Sequence, residues 1–172
     1  NFTNIWTIEE GISYPYLIGL GTTQPNTPPF VEIQEIWTLE ELSKIGLHPA
    51  YPWWGKYELK TDIDASETID WNDGKGFTPL MLTGKFYGNG HVIRNIYINR
   101  STDKYVGVLG RVGIGGEIND LGIENCSIVA NEYVGGLIGN NYGAVNNCYA
   151  TGSVKGYKSV GGLIGSTFYN TI

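Results

Sequence analysis

The chain has few basic side chains, with 11 Lys and Arg against 17 Asp and Glu among 172 residues. Its net charge of -6 and pI near 4.8 argue against nucleic acid or an anionic membrane as a partner, because both require a basic face. No apolar run approaches the ~18 residues that a membrane helix needs. We therefore expect no nucleic-acid partner and no membrane span in this chain.

Cysteine and histidine are equally scarce. Cys126 and Cys148 are the only cysteines, and their spacing is not that of a metal or redox motif. They predict either two buried thiols or one disulfide. His48 and His91 lack paired ligand spacing and are expected to be surface or packing residues. No GxSxG, HExxH or P-loop motif is present, which argues against the enzyme classes that those motifs define.

Glycine, in contrast, is abundant, at 25 of 172 residues against a usual share of ~7%. A glycine motif recurs as YVGVLG (105–110), YVGGLIG (133–139) and SVGGLIG (159–165). Its valines are spaced by 28 and then 26 residues, at Val106, Val134 and Val160. Each glycine of a doublet weakens a helix by about 1 kcal/mol. The motif therefore predicts a repeated element that is not helical.

A second motif repeats with similar spacing in HVIRNIYI (91–98), GEINDLGI (116–123) and GAVNNCYA (143–150). Each segment has an apolar residue, then Asn or Asp, then two apolar positions one residue apart. The matched sets are Ile93, Ile118 and Val145; Asn95, Asp120 and Asn147; Ile96, Leu121 and Cys148; and Ile98, Ile123 and Ala150. Successive members of these sets are 25 and 27 residues apart. Both motifs share a period of about 26 residues, which indicates a repeat protein.

A period in the twenties is typical of a leucine-rich repeat or of a β-helix. The LxxLxLxxN signature is absent, and the segments are short, β-branched and bounded by Gly, Asn and Ser, which favours strands. Two or three strands of ~5 residues with corners fill one period. We predict an all-β fold, a parallel β-solenoid of about four coils from residue 57 onward.

The Asn and Asp positions predict corners between strands. Asn95, Asp120 and Asn147 interrupt strict alternation, and these residue types tolerate left-handed geometry best after glycine. The apolar residues beside them are expected to point inward as stacked columns. Gly135 and Gly161 are expected either to turn corners or to let the backbone pack closely.

One helix is predicted upstream of the repeats, over residues 38–45. In WTLEELSKIG (37–46), Thr38 is the expected N-cap, Glu41 its capping-box partner and Gly46 the stop signal. The expected buried face consists of Leu39, Leu42 and Ile45. This helix would cap the N-terminal end of the solenoid, since a terminal repeat must present a different outer face.

The chain divides into three parts at the level of sequence. Residues 21–32 are a predicted Pro-rich linker, beginning GTTQPNTPP. Residues 1–20 form an apolar, aromatic segment, and residues 33–172 form the solenoid with its capping helix. The chain opens without a Met or a basic leader region, so we expect a mature product or an excised piece.

Four stretches resemble the GLUG-repeat modules of bacterial and archaeal surface proteins: VGGLIG, GNGHVIRNIYI, VNNCYATGSV and LKTDIDAS. Such modules occur in adhesin-like proteins and in non-catalytic regions of IgA-specific endopeptidases. The resemblance covers about residues 33–172. It implies a right-handed parallel β-helix located extracellularly at the cell surface, and it implies no reaction.

The opening NFTNIWTIEEGISYPYL resembles the stretch that closes an array of such repeats. Its apolar surface would consist of Phe2, Ile5, Trp6, Ile8, Tyr14, Tyr16 and Leu17. NIWTI could add to an open strand edge. The nine residues GTTQPNTPP reach about 30 Å, and four coils with a cap span roughly 25–30 Å, so docking on a neighbouring molecule is easier than self-closure. This predicts head-to-tail partners, either copies of the chain or adjacent modules, in a filament or tandem array.

Three acidic residues represent the enzymatic alternative. Glu117, Asp120 and Glu124 lie near one another in the sequence, and glycosidases need two carboxylates within reach. Asp120 shares its position in the repeat with asparagine, however, which favours a structural role. We therefore predict no enzymatic activity and no catalytic residues.

A calcium site is the one cofactor that the sequence suggests. The stretch DIDASETIDWNDG supplies the oxygen ligands that calcium prefers. The candidate ligands are Asp62, Asp64, Asp70 and Asp73. The alternative is a polar loop that uses Asp and Asn as turn formers.

Trp53 and Trp54, in YPWWGKY (51–57), are a candidate platform for sugar rings. Neighbouring residues on a strand point in opposite directions, so at most one of the two could face a ligand. Packing of both around the cap is the expected outcome.

These observations together predict a non-enzymatic extracellular module with a structural and adhesive role at the cell surface. Its partners would be further modules in a head-to-tail array, and a glycan or protein of a host or cell surface is a second candidate. The alternative is a carbohydrate-binding or carbohydrate-cleaving β-helix domain.

Overall fold

Residues 32–168 are the part of the chain that the computed structural model describes. The predicted closing segment, residues 1–20, and the linker up to residue 31 lie outside this part. In chain order the described elements are β1 (Ile33–Ile36), α1 (Leu39–Lys44), β2 (Lys56–Leu59), β3 (Ile63–Asp64), a 3-10 helix (Ser66–Asp70), β4 (Leu80–Leu82), β5 (Lys85–Tyr87), β6 (Val92–Arg94), β7 (Tyr97–Val106), β8 (Leu109–Val112), β9 (Glu117–Asn119), β10 (Gly122–Gly135), β11 (Ile138–Asn141), β12 (Ala144–Asn146), β13 (Tyr149–Lys155), β14 (Lys158–Gly161) and β15 (Ile164–Thr167).

The strands form three parallel sheets, because each strand pairs with its equivalents in the coils before and after it. The first sheet has the order β1-β2-β5-β9-β12, and the third has the order β4-β8-β11-β15. The second has the order β3-β6-β10-β13, with β7 and β14 also paired to β10. The chain passes through the three sheets in turn and completes four coils, of which the last runs from β12 to β15. The predicted parallel β-solenoid is confirmed.

The core lies between the three sheets and consists of apolar columns that run from coil to coil. Alternation along each short strand sends one set of side chains inward. In the first sheet, Tyr57, Phe86 and Ile118 occupy paired positions and are at most 1% exposed. The corresponding columns of the other sheets contain Ile63, Ile93 and Ile123, and Leu80, Leu109 and Ile138. The inward orientation predicted for the apolar positions is confirmed.

The spacing of the repeats is less regular than the sequence predicted. The glycine motif is aligned correctly, since Val106 pairs with Val134 and Val134 with Val160. The second motif is not, because Ile93 pairs with Ile123, 30 residues later, and Phe86 is the residue that pairs with Ile118. The predicted alignment of HVIRNIYI with GEINDLGI is therefore wrong by five residues.

The predicted corners are present, although they belong to two different columns. Asn95, Asp120 and Asn147 have φ values of 61°, 53° and 51°, in the left-handed region. Asn95 lies beside Asn125, which has a φ of 52°, rather than beside Asp120. Each coil thus has more than one corner at which Asn is favoured, and this is why the sequence alignment chose the wrong one.

The glycine doublets serve close backbone packing. Gly135 and Gly161 do not have positive φ angles. A Cβ atom at Gly135 would lie 2.8 Å from both the carbonyl oxygen of Leu163 and the amide nitrogen of Gly165 in the next coil. Of the two roles that the sequence suggested, close packing of the backbone is the observed one.

The single α-helix of residues 32–168 begins and ends close to its predicted limits. Thr38 Oγ1 accepts from the Glu41 amide (3.1 Å), and Glu41 Oε2 accepts from the Thr38 amide (3.0 Å), so the capping box is complete. Gly46, with a φ of 74°, follows the last turn. The predicted buried face is confirmed, since all its members are at most 7% exposed: Leu39, Leu42 and Ile45. The helix follows β1, the first layer of the first sheet, and its buried face joins the solenoid core.

Candidate interaction surface at the open end of the solenoid

The last coil has strand neighbours on one side only among residues 32–168. β12 pairs with β9, β13 and β14 pair with β10, and β15 pairs with β11. No described strand pairs with the opposite edges of these four strands. Their outward backbone groups therefore form a template for a further parallel strand.

Apolar side chains at this end are exposed in columns that are buried one coil earlier. Val160 is 43% exposed, whereas its partner Val134 is fully buried. Ile164 is only partly buried, whereas its partner Ile138 is fully buried. Burial decreases in the same way in three further columns, where a buried isoleucine pairs with a partly buried residue of the last coil: Ile118 with Val145, Ile123 with Ala150 and Ile128 with Val154. The hydrophobic core thus continues up to the end face, where part of it contacts solvent.

Large exposed aromatic side chains lie in or beside the same coil. They are Tyr149, Tyr157 and Phe168, with 46%, 87% and 46% of their surfaces exposed. Phe168 stacks on Tyr142 with 5.2 Å between ring centroids, so this aromatic column also reaches the last coil. An exposed apolar surface of this kind is characteristic of interaction sites.

Amide side chains join the coils at the corner that contains Asn95. Asn125 Nδ2 donates to Asn95 Oδ1 at 2.8 Å, and Asn95 Nδ2 donates to Asp64 Oδ1 at 3.1 Å. This row of side chains, Asp64-Asn95-Asn125, spans three successive coils. Each of these hydrogen bonds satisfies a polar side chain through the side chain at the corresponding corner of the adjacent coil.

Two further amide rows reach the last coil. Asn147 Nδ2 donates to Asp120 Oδ1, and Asn146 Nδ2 donates to Asn119 Oδ1 at 2.9 Å. Asn146 and Asn147 are both exposed. These rows thus end at the solvent-facing edge of β12 and the corner that follows it.

Ion pairs also connect adjacent coils. Arg94 lies between two acidic residues, 3.0 Å from Asp62 Oδ2 and 2.9 Å from Glu124 Oε2. Lys85 Nζ lies 2.7 Å from Glu117 Oε2 at a paired position of β5 and β9. Hydrogen bonds from Tyr149 and Arg94 lower the pKa of Glu124, and those from Lys85 and Asn119 lower the pKa of Glu117.

Acid is expected to destabilise the solenoid through these carboxylates. Because folding lowers the pKa values of Glu117 and Glu124, their contribution is complete above the unfolded values of about 4 and is lost as pH falls through the folded ones. We expect the melting temperature to be level from pH 7 to about 5 and to fall below about pH 4. Arg94→Gln should make this acid dependence shallower. Lys75→Gln is the matched control, since Lys75 forms no ion pair among the described residues; a melting temperature that is level down to pH 3 would contradict the prediction.

The three acidic residues considered as the enzymatic alternative have structural partners. Asp120 accepts from Asn147, Glu117 pairs with Lys85, and Glu124 accepts from the Tyr149 hydroxyl at 2.7 Å. The pKa values of both glutamates are lowered rather than raised, whereas a general acid for glycoside hydrolysis requires a raised pKa. The geometry here favours stabilisation of the stack.

The four aspartates proposed for calcium do not converge. Asp62 accepts from the Val92 amide and faces Arg94, and Asp64 accepts from Asn95 and the Ser66 amide. Asp70 ends the 3-10 helix, and Asp73 follows in a turn with a φ of 55°. Across residues 32–168, no group of three or more His, Cys, Asp or Glu side chains could hold a metal ion. Calcium binding stays a prediction from the sequence that this geometry does not favour.

Trp53 and Trp54 are exposed, which corrects the expectation that both pack around the cap. They are 51% and 40% exposed and lie in a turn before β2, where the alternation of strand residues does not apply. Together with His48 and Pro49 they line a shallow pocket of about 250 Å³. The two tryptophans thus line the same pocket in the described part of the chain.

The two cysteines are free thiols. Cys126 is buried and Cys148 is partly buried, and burial raises the pKa of each thiol. Of the two alternatives that the sequence left open, the unpaired state is observed. The histidines have the expected packing roles, since His48 packs edge-on against Tyr51 and His91 Nδ1 lies 3.2 Å from Asp62 Oδ1.

A tyrosine stack was missed by sequence reasoning. The rings of Tyr105 and Tyr133 lie 4.9 Å apart and nearly parallel, with the Arg111 guanidinium 4.4 Å from the Tyr105 centroid. Both tyrosines have left-handed φ angles, 62° and 56°, which bulky residues rarely adopt. The available signal was the Tyr that precedes Val-Gly in both YVGVLG and YVGGLIG.

The chain carries the GLUG motif, which matches residues 130–155. This match corresponds to one coil, since Val129 pairs with Lys155 in the register of β10 and β13. The resemblance to GLUG-repeat modules inferred from the sequence is confirmed by this match.

Two relatives are similar to this chain over part of its length. Halomucin of Haloquadratum walsbyi is 39% identical over 126 residues, which cover 67% of this chain and 1% of halomucin. A putative Gly-rich membrane protein of Evansella cellulosilytica is 33% identical over 99 residues, which cover 53% of this chain and 11% of the relative. The chain therefore spans only a small part of each relative. No solved structure matches it.

Among residues 32–168, no helix has both the length and the apolar character needed to cross a membrane.

Proposed function

We propose that this chain is a non-enzymatic structural and adhesive repeat module, located extracellularly at a cell surface, that associates head-to-tail through the open end of its solenoid. The observation that carries the proposal is the exposed core of the last coil. There Val160 is 43% exposed and Ile164 partly buried, above equivalents that are fully buried. A face of this kind is stabilised by a further layer rather than by a small ligand.

The comparisons support the surface location and the repeat character. The GLUG motif matches one coil, and the named relatives are a halomucin and a putative Gly-rich membrane protein. Both relatives are much longer than this chain, which is consistent with use of the module as one unit in an extended assembly. The structural partners of all three candidate catalytic carboxylates support a non-catalytic role.

The occupant that we propose for the end face is the segment of residues 1–20 from a neighbouring molecule. The end face offers strand edges in three sheets, and the segment contains NIWTI, which has the composition of a strand. A contact between two different surfaces of identical molecules does not close by two-fold symmetry, so it propagates as a filament or tandem array.

Deletion of residues 1–20 is expected to give a folded monomer, whereas the intact chain should form oligomers whose size increases with concentration. Light scattering measures the mass, and far-UV circular dichroism confirms that the deletion variant keeps its strand content. An intact chain that stays monomeric at high concentration, or a deletion variant that still forms fibres, would contradict head-to-tail docking.

Carbohydrate binding is the second candidate function, favoured by the adjacent exposed indoles of Trp53 and Trp54 at one pocket. A glycan array and a reducing-sugar assay on surface polysaccharides separate it from the first. Binding that is lost in Trp53→Ala, or release of reducing sugar, would favour the second candidate.

A further inference from the structure

The amide rows of the solenoid all have the same direction. In each contact of these rows between adjacent coils, Nδ2 of an asparagine donates toward the preceding coil, as it does from Asn125 to Asn95 and from Asn146 to Asn119. The Oδ1 atom of the same amide therefore faces the following coil. This direction is a property of the rows and not of one corner.

In two of the three rows, the residue at the start fixes this direction chemically. Asp64 and Asp120 belong to the first coil of their rows. An ionised carboxylate only accepts hydrogen bonds. Asn95 and Asn147 must therefore turn Nδ2 toward the preceding coil, because Oδ1 in that position would face another acceptor. Hydrogen bonding from Asn95 also lowers the pKa of Asp64, which keeps it ionised.

It follows that the last coil presents acceptors to the layer beyond it. Asn147 Nδ2 is occupied by Asp120, and Asn146 Nδ2 is occupied by Asn119, so the two Oδ1 atoms point away from the solenoid. A next layer that continues the row must supply an N–H donor beside Asn147 and an apolar side chain beside Cys148.

The opening segment of the chain has residues of this chemistry in the required order. FTNIW (2–6) repeats the pattern of VNNCY (145–149) and INDLG (118–122), in which an apolar residue and a polar one precede Asn or Asp and a further apolar residue. In this alignment Asn4 corresponds to Asn147, and Ile5 corresponds to Cys148.

We propose that residues 2–6 of one molecule add to the end face of another in parallel register with residues 145–149, with Asn4 donating to Asn147. This register rests on the proposed head-to-tail association, and it defines which residues of the two molecules pair. The occupant must carry Asn rather than Asp at position 4, since a carboxylate there would face the Asn147 acceptor without a proton to donate.

Disulfide trapping tests the register in the full chain. Equivalent residues of stacked strands lie ~4.8 Å apart, within the Cα separation of about 4.4–6.8 Å that a disulfide accepts. Ile5→Cys should therefore form a disulfide with Cys148 of a neighbouring molecule under mild oxidation. Non-reducing electrophoresis measures the rate, and peptide mass spectrometry identifies the joined cysteines.

The controls are single cysteines one residue out of register, Asn4→Cys and Trp6→Cys. A shift of one residue moves the thiol by ~3.3 Å and turns it to the other face of the strand, so we expect at least about tenfold slower trapping. Adding Cys148→Ser to Ile5→Cys should abolish the product. Equal rates at the three positions, or fastest trapping from Trp6→Cys, would overturn the proposed register.

Asn4→Asp tests the direction of the amide row independently. We expect Asn4→Asp to weaken association at least about tenfold. This is the effect expected when a buried acceptor loses the donor of its one hydrogen bond. Ser13→Asp adds the same charge to the segment outside the aligned residues and should have a smaller effect. If Asn4→Asp associates as well as the intact chain, the donor role of Asn4 is wrong.

These outcomes separate the register from the association itself. Oligomers that form but trap at other positions would overturn the register alone. An intact chain that stays monomeric in light scattering would overturn the docking on which the register depends.

Discussion

Gly139→Ala is expected to lower the free energy of unfolding by about 3 kcal/mol, or to prevent folding, which would be one of the largest effects of any single methyl group in this chain. A Cβ atom at Gly139 would lie 2.7 Å from the carbonyl oxygen of Tyr133 and closer still to the amide nitrogen of Val106. Both contacts are with backbone atoms, one in its own coil and one in the coil before. No side chain can move aside to admit the methyl group.

Gly162→Ala is the matched control, because it places the same methyl group in another copy of the same motif. A Cβ atom at Gly162 would have no heavy atom within 4 Å, and its φ is not in the left-handed region. We expect a change within about 0.5 kcal/mol. Chemical denaturation of both variants measures the difference. Equal destabilisation would contradict the role of close packing and would indicate that the motif contains glycine for its backbone freedom.

The repeat and its fold were predictable because close packing of the backbone requires glycine at the same position of successive coils. Gly139 and Gly165 must be glycines for the same steric reason in successive coils, so VGGLIG recurs at the length of one coil. The capping box of α1 was predictable as well, since Thr38 and Glu41 bond to each other across one turn and need no distant partner.

The register of the second coil was not predictable from the same kind of signal. Four residues separate Tyr87 from Val92, whereas two residues separate Asn119 from Gly122 in the next coil. The two additional residues lie in an exposed corner, where packing of the core does not fix the number of residues. A period measured across such a corner gives the average coil length and not the pairing.

The sequence predicted that an exposed end face exists, but not which residues form it. An open solenoid must expose strand edges, but the identity of its exposed columns follows from pairings such as Val134 with Val160. The exposure of Trp53 and Trp54 was missed because the sequence placed them on a strand, whereas they lie in a turn stabilised by hydrogen bonds from Thr83 and Gly84 to the Trp53 carbonyl.

Phe86→Ala is expected to remove about 3–5 kcal/mol of stability, a large share of the ~5–15 kcal/mol typical of a domain. Phe86 is 1% exposed and lies between Tyr57 and Ile118 in the central column of the first sheet. Its removal leaves a cavity that the fixed spacing of the coils cannot close, because the strands on both sides are held by the backbone pairing of adjacent layers. Thermal and urea unfolding measure the loss.

Val145→Ala is the control from the same column, one position beyond Ile118 in the open coil. Val145 is only partly buried, so we expect a loss of about 1 kcal/mol in the variant that lacks residues 1–20. If the intact chain associates as proposed, docking buries this position, and the loss should increase at concentrations where oligomers form. Similar losses from Phe86→Ala and Val145→Ala in the truncated chain would mean that the end face is already covered within one molecule. A loss from Val145→Ala that is the same with and without residues 1–20 would mean that the segment does not dock over this column.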